Sequence, residues 1–399
     1  MAGSQRTLKR LNRTAILRHV KSRPGLVRTE LAGLVGLADS TVSVLVNELI
    51  DEGWLRVTGF RGTGAMGRRP HLLELDPSRL SLLGAEVGND YLNVVACGLD
   101  GELHFSKMVD YRHHDLARSI GALAETIGEA RAAALAAGRR VLGAGVGLPG
   151  MVGVDGQLRL APGIGWRDVP FGRLLGEALQ RQGCAGLPVS ILNDANAAAL
   201  SEYVFGTSPL VSSLVFLSLG YGVGAGIVLD DRLHVGHDGL AGEVGHTIIK
   251  PDGALCACGR RGCAETVLSQ KVISRLATGK ATPVLHVAEL VAMLEGGDEA
   301  LKRVVRSAGG HLGMMLQRLL VVINPELLIL GGPLSRLQGL VDEAIATLDR
   351  LGGERPYHRA EVRVCRFGLD AGAVGAAGSV LHHTLNPPAP SRSAAVPLP

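Results

Sequence analysis

Cysteine is scarce in this chain of 399 residues: there are six, three within residues 256–263 and three scattered at Cys97, Cys184 and Cys365. That distribution does not make a disulfide framework, and a reducing compartment would leave the clustered thiols free to bind metal. Charged residues are also few, 20% against 46% hydrophobic, which excludes a disordered chain and leaves apolar material for two or three domains with substantial cores. Long hydrophobic runs are missing. The most apolar stretch, LLVVINPELLIL, is broken at Asn324-Pro325 well short of a membrane span, and the basic opening MAGSQRTLKRLNRTAILRHV has no continuous apolar segment of the secretory kind. A soluble cytoplasmic protein without a membrane partner is expected.

Positive charge is concentrated at the front. Residues 1–75 hold twelve Lys and Arg against six Asp and Glu, while the whole chain carries a net charge of only +4. Such an excess suits a polyanion, although a solvated basic face has the same composition. The pattern AILRHVKSRPGLVRTELAGLVGLADSTVSVLVNELIDEGWL predicts three short amphipathic helices. The first covers residues 14–21 and stops at Arg23-Pro24-Gly25; the second covers 29–35 with Thr29 as N-cap; Asp39 or Ser40 caps the third. The third helix has an apolar stripe of Val42, Leu45, Val46 and Leu49, with Ser40, Thr41, Ser43 and Asn47 opposite. An ordinary three-helix bundle would read the same way up to this point. Two strands, residues 55–58 and 71–75, flank a segment rich in glycine and arginine, and that favours a winged helix-turn-helix. Thr29 and the small polar face of the third helix would then meet double-stranded DNA, with Arg61, Arg68 and Arg69 of the wing reaching phosphates or the minor groove.

Beyond Pro77 strands and helices alternate. LLGAEVGNDYLNVVACGLDGEL (82–103) and LVFLSLGYGVGAGIVLDDRLHV (214–235) share one plan: apolar strand, glycine-bearing turn, second apolar strand, acidic turn, third strand. The repeat predicts two similar lobes facing each other across a cleft. Between them VSILNDANAAALSE (189–202) reads as a strand running directly into an alanine-rich helix. Asn193-Asp194 then sits where α/β sheets bind ligands, although Asp194 is also a plain helix cap by position.

The clustered cysteines are Cys256, Cys258 and Cys263. Three thiolates lack one ligand for a closed tetrahedral zinc site, and His246, ten residues upstream of Cys256, is the nearest candidate. The single residue between Cys256 and Cys258 departs from the usual C-x-x-C knuckle, so the pattern belongs to a particular loop.

That loop, Gly242-Glu243-Val244-Gly245-His246 followed by C-x-C-G-x-x-G-C-x-E from Cys256 to Glu265, resembles the ROK family (repressor, open reading frame, kinase), and the likeness covers nearly the whole chain. The resemblance implies a winged helix-turn-helix joined to a two-lobed α/β domain of the actin-like, sugar-kinase-like (ribonuclease H-like) kind with a structural zinc loop. The domains would be 1–78 and 79–385, lobe I at about 79–192 plus 368–385 and lobe II at about 193–367, before a disordered proline-rich tail at 386–399. It further implies sugar contacts from Asn193, Asp194, Glu243, His246 and Glu265, with His246 binding zinc through one ring nitrogen and facing the sugar with the other. Asp194 matches the kinase base.

Departures from the kinase members point away from catalysis. Where their first phosphate hairpin resembles D-I-G-G-T, this chain has Glu86-Val87-Gly88-Asn89-Asp90, and a carboxylate is repelled by phosphate at roughly 4 kcal/mol per unit charge at about 4 Å in an effective dielectric of about 20. In the second hairpin Tyr221 replaces a small hydroxyl, and Gly163 stands where an asparagine is common. The expectation is a sugar-responsive transcriptional regulator, a repressor binding its DNA operator as a homodimer or dimer of dimers, with no catalytic residue. The alternative is an active ATP-dependent sugar kinase of the hexokinase or glucokinase type with a DNA-binding head.

Overall fold

A computed structural model describes residues 2–60, 70–110, 115–206, 211–280, 283–352 and 360–386. The wing arginines Arg61, Arg68 and Arg69, and the tail beyond Asn386, lie outside them. No single helix among the described residues is long and apolar enough to cross a membrane.

The chain opens with helices α1 (Ala2–Ser22), α2 (Arg28–Val35) and α3 (Asp39–Asp51), then strands β1 (Leu55–Phe60) and β2 (His71–Leu75), which pair antiparallel with Leu55 opposite Leu75. Helix α1 begins twelve residues before the expected start at Thr14. The caps also differ from expectation. The residue before α2 is Val27, whose N–H donates to the Glu30 carboxylate at 3.0 Å, so Thr29 is an exposed residue inside the helix. The residue before α3 is Ala38, which has no capping side chain, and Asp39 and Ser40 lie in the first turn. Gly36, at φ +67°, turns the chain so that the axes of α2 and α3 cross at 112°, the angle range of a helix-turn-helix. Ile16, Val20, Leu31, Val42, Val46 and Leu49 form the fully buried centre of this head.

Only residues 76–79 join β2 to the next strand. The first lobe holds β3 (Leu80–Val87), β4 (Tyr91–Cys97), β5 (Leu103–Asp110), α4 (Leu116–Ala136) and β6 (Arg140–Leu148). A small sheet of β7 (Met151–Val152), β8 (Leu158–Ala161) and β9 (Trp166–Val169) follows, then α5 (Phe171–Arg181) and β10 (Val189–Asn193), and α6 (Asp194–Phe205) leads into the second lobe, on whose sheet it packs. The second lobe holds β11 (Ser213–Leu219), β12 (Val223–Leu229), β13 (Arg232–Leu233), helices α7 (Glu265–Leu268), α8 (Gln270–Thr278), α9 (Val287–Glu295) and α10 (Glu299–Ile323), β14 (Leu327–Gly331), α11 (Gln338–Gly352) and β15 (Glu361–Val364). Helix α12 (Ala371–Leu385) closes the described chain.

The two main sheets have the same topology, β10-β6-β3-β4-β5 and β13-β12-β11-β14-β15. In each, three consecutive antiparallel strands are extended by a fourth strand parallel to the first and a fifth parallel to the fourth. The duplicated plan read in the sequence is therefore a duplicated sheet. Between the sheets lie α12, packed on β3 and β6, and α6, packed on β11 and β12; the two helices also pack on each other.

This close layering explains where many glycines go. A Cβ on Gly145 of β6 would stand 1.8 Å from the Ala376 carbonyl oxygen of α12, and one on Gly375 would stand 1.7 Å from that of Ala197 in α6. Only residues without a side chain let helix and strand backbones approach so nearly. At its far end α12 reaches the head, where Arg18 of α1 donates to the side-chain amide oxygen of Asn386. Arg79 and Arg140 also donate to the Ile50 and Glu52 carbonyls, each at 3.1 Å.

Candidate functional site

Strands β3, β6 and β10 run parallel, with Glu86 opposite Gly147 and Leu148 opposite Asn193. Their carboxyl ends therefore open together at the cleft, the usual ligand position in such sheets. At the end of β10, Asn193 caps α6: its side-chain oxygen accepts the Asn196 N–H at 3.1 Å, while its amide donates to the Gly150 carbonyl and to Asp194 Oδ1, both at 2.9 Å. The capping role belongs to Asn193. Asp194 Oδ1 also accepts the Ala195 N–H at 2.8 Å. Loss of water still outweighs these bonds and pushes the Asp194 carboxyl up to about 6.

Across the cleft Glu243 precedes a 3-10 turn, Val244–His246, and Glu265 opens α7. His246 Nε2 lies 3.9 Å from Glu243 Oε2. Burial raises both glutamates while the neighbouring imidazole opposes the rise, and Glu243 also feels Asp194 and Glu265. The structure thus brings Asp194, Glu243, His246 and Glu265 around one space, with Asn193 behind Asp194. Half-buried carboxylates beside an imidazole suit hydrogen bonds to several hydroxyls of one small polar ligand.

His246 turns its other nitrogen to the cysteines, with Nδ1 3.6 Å from Cys256 Sγ, and Cys258 Sγ 3.6 Å from Cys263 Sγ. The four ligand atoms lie within 4.8 Å of one another. A tetrahedral site with bonds of about 2.0 to 2.3 Å has edges of about 3.5 to 3.8 Å, so the donor set and spacing fit a tetrahedrally held metal. The loop makes this possible through Gly259 and Gly262, at φ +85° and +71°, which bend the chain so that Cys256, Cys258 and Cys263 face one point. Cys256 N–H donates to the Arg260 carbonyl at 2.8 Å and Ala264 N–H to that of Thr247 at 2.9 Å, tying the loop to the His246 segment.

The β3–β4 hairpin holds a feature that sequence reasoning missed. The Tyr91 ring folds back over Gly88, where a Cβ would meet it at 2.4 Å, and its hydroxyl donates to Glu86 Oε1 at 2.9 Å. The Gly88 N–H is used within the turn, donating to the Tyr91 carbonyl at 2.8 Å. Glu86 is enclosed, and burial pushes this carboxyl up to about 8, with Asp194 and Asp370 adding to the rise while hydrogen bonds from Tyr91 and the Ala373 backbone oppose it. Glu86, Tyr91 and Asp194 line a cavity of about 50 Å³ that Ser218, Pro333 and Gly372 close from the other elements. Asp90 is exposed, and Tyr221 is 39% exposed. Asn89 Oδ1 lies 2.3 Å from the Cβ position of Gly163, so its amide takes the room that a side chain at 163 would need.

In the head, Ser40, Thr41 and Asn47 are exposed on α3 and Ser43 is half-buried. The reading for polar residues passed over Val44, which is 58% exposed on the same face. The basic excess is partly spent inside the protein. Lys9 and Arg13 of α1 pair with Glu48 of α3 at 2.7 and 3.4 Å, Arg13 also holds Glu52, and Arg56 faces Glu74 at 3.5 Å.

Comparison with known proteins adds family information. Residues 82–383 match the model of the ROK family, and residues 10–56 match a winged helix-turn-helix DNA-binding model. A xylose repressor of Caldicellulosiruptor bescii is 30% identical over 348 residues, covering 84% of this chain and 86% of its own length. A glucokinase of Halalkalibacterium halodurans is 34% identical over 252 residues, covering 59% of this chain and 74% of its own. The crystal structure of a ROK family transcriptional regulator, described as a homolog of the E. coli MLC protein, superposes with a TM-score of 0.77 at 27% identity, covering 95% of this chain and 98% of that one.

Proposed function

The chain belongs to the ROK family, and from that membership we propose that it is a sugar-responsive DNA-binding repressor of carbohydrate genes, with the kinase-like lobes serving as sensor. The observation that carries this reading is Tyr91 lying over Gly88 and bonded to Glu86, in a chain that also bears a helix-turn-helix head. A phosphate-gripping hairpin needs free backbone N–H groups and open space. Here a phenol covers the turn and the Gly88 N–H is already bonded.

In this proposal the sugar hydroxyls are held by Asn193, Asp194, Glu243, His246 and Glu265. Zinc is held by His246, Cys256, Cys258 and Cys263, and when bound it would lock the loop and fix the imidazole tautomer with its second nitrogen toward Glu243. The DNA-binding domain is 1–78 and the sensor 79–385, divided into lobes as the sequence suggests. Two heads of a dimer would read half-sites about 10 bp apart or a multiple of that. Sugar acts only through its different affinity for the two arrangements of the lobes.

The test is operator binding by gel shift with a panel of sugars, D-xylose first because a relative is named for it. Affinity is expected to change with at least one monosaccharide, and no change with any would overturn the sensor role. A second reading, an active sugar kinase, is favoured by one observation: the Asp194 carboxyl at about 6 is suited to act as a base. Steady ADP release with MgATP and a sugar, lost in Asp194→Asn, would establish it.

A further inference from the structure

Resting on the DNA-binding reading above, we infer that Arg28 and Asn47 act together as a donor-rich reader of guanine in the major groove, and that Val44 reads the methyl group of a neighbouring thymine. Ser40, Val44, Asn47 and Asp51 form the outward line of α3, opposite the buried Val42, Leu45, Val46 and Leu49. Val44 is the one bulky apolar side chain of α3 left exposed.

Arg28, the first residue of α2, extends its guanidinium across to this face, and Nη2 donates to Asn47 Oδ1 at 2.7 Å. Arginine has no acceptor, so this contact fixes which end of the Asn47 amide is oxygen. The bond engages Oδ1, the one acceptor atom on either side chain, and takes one of its two lone pairs. What the pair offers DNA is then mainly hydrogen-bond donors: the Asn47 NH2 group and the guanidinium NH groups other than the buried Nε.

Base edges differ in what they ask of such a pair. Adenine offers one acceptor and one donor, so reading it takes an asparagine that turns both oxygen and nitrogen to the base. Guanine offers two adjacent acceptors, N7 and O6, which match a donor-rich reader. Cytosine offers a donor where the pair has none to accept it. Val44, one turn before Asn47, presents a branched apolar group to the adjoining step, where the thymine C5-methyl is the apolar partner available. Glu48, beside Asn47 in sequence, is neutralised by Lys9 and Arg13, and Asp51 ends the line as the last residue of α3.

The experiment is selection of bound duplexes from a random-sequence DNA library by the full-length protein and its variants. Asn47→Ala identifies the base pair that Asn47 contacts. At that position wild type is expected to require guanine, Arg28→Lys to keep that preference, and Arg28→Ala to shift it toward adenine with a loss of about tenfold in guanine preference. Replacing the adjoining thymine by deoxyuridine is expected to weaken wild type about fourfold and to leave Val44→Ala unchanged. Adenine at the Asn47 position in wild-type sites, a preference unmoved by Arg28→Ala, or no position affected by Asn47→Ala overturns the inference and leaves DNA binding standing. No enriched sequence at all overturns both.

Discussion

Glu86 makes the stability of this protein depend on pH, and the sign follows from its surroundings. Its side chain is enclosed, one oxygen accepts from Tyr91, and burial raises the folded carboxyl from 4.5 to about 8. A group that binds its proton more tightly in the folded state contributes stability that is fully present below its unfolded value. That stability is lost as pH rises through the folded one. The slope between the two values is about 1.4 kcal/mol per pH unit, so wild type should lose about 3 kcal/mol between pH 5.5 and 8 through this group alone. Glu86→Gln keeps the shape and an acceptor for Tyr91 but cannot ionise. Urea unfolding of both proteins at half-unit steps of pH measures the difference, which should grow through the window and level off above pH 8. Parallel curves for the two proteins would refute the buried, protonated carboxyl.

The remaining predictions concern metal, ligand and packing. Wild-type protein should carry one metal ion per chain by elemental analysis and Cys263→Ser should carry none; chelation should lower the melting temperature and remove any sugar-induced thermal shift, because His246 serves both of the proposed sites. Gly163→Asn should weaken sugar binding in calorimetry about tenfold or more, since the new side chain meets the Asn89 amide, and the added change Asn89→Gly should recover it; equal binding by single and double variants would argue against the contact. Gly145→Ala places a methyl group against the α12 backbone and should cost about 3 kcal/mol or more in urea unfolding.

The parts of the fold that depend on local pattern could be read in advance. The paired hairpins were visible because each repeats a glycine turn and an acidic turn between apolar strands, and the cysteine loop because thiols are rare elsewhere in the chain. The start of α1 was not visible. Its first half, AGSQRTLKRLNR, carries too few apolar residues to show a stripe, and its partners Glu48 and Glu52 are supplied by another helix. The capping signals misled because Thr29 and Asp39 are good caps by type, while the residues before the helices are Val27 and Ala38. Val44 escaped a search for polar readers, and Arg28 lies far from Asn47 in sequence. The Tyr91–Glu86 pair was hidden for a similar reason: it depends on the ring folding back over Gly88, which spacing does not encode. Layering by glycine was hidden by abundance, since the residues at the crossings look like any others among the 55.

Helix α12 spans the two halves of the protein's work. Its first turn sits against Glu86, where a Cβ on Gly372 would lie 2.3 Å from the carboxyl carbon, and its last residue is followed by Asn386, bonded to Arg18 of α1. Fifteen helical residues span about 22 Å, and they are gripped along that length by glycine-thin contacts that permit little bending. In the proposed sensor, a push at the cleft end would reach the head as a tilt of the whole rod. The same tight fit that makes the lobes intolerant of a single methyl group would let α12 serve as a stiff lever.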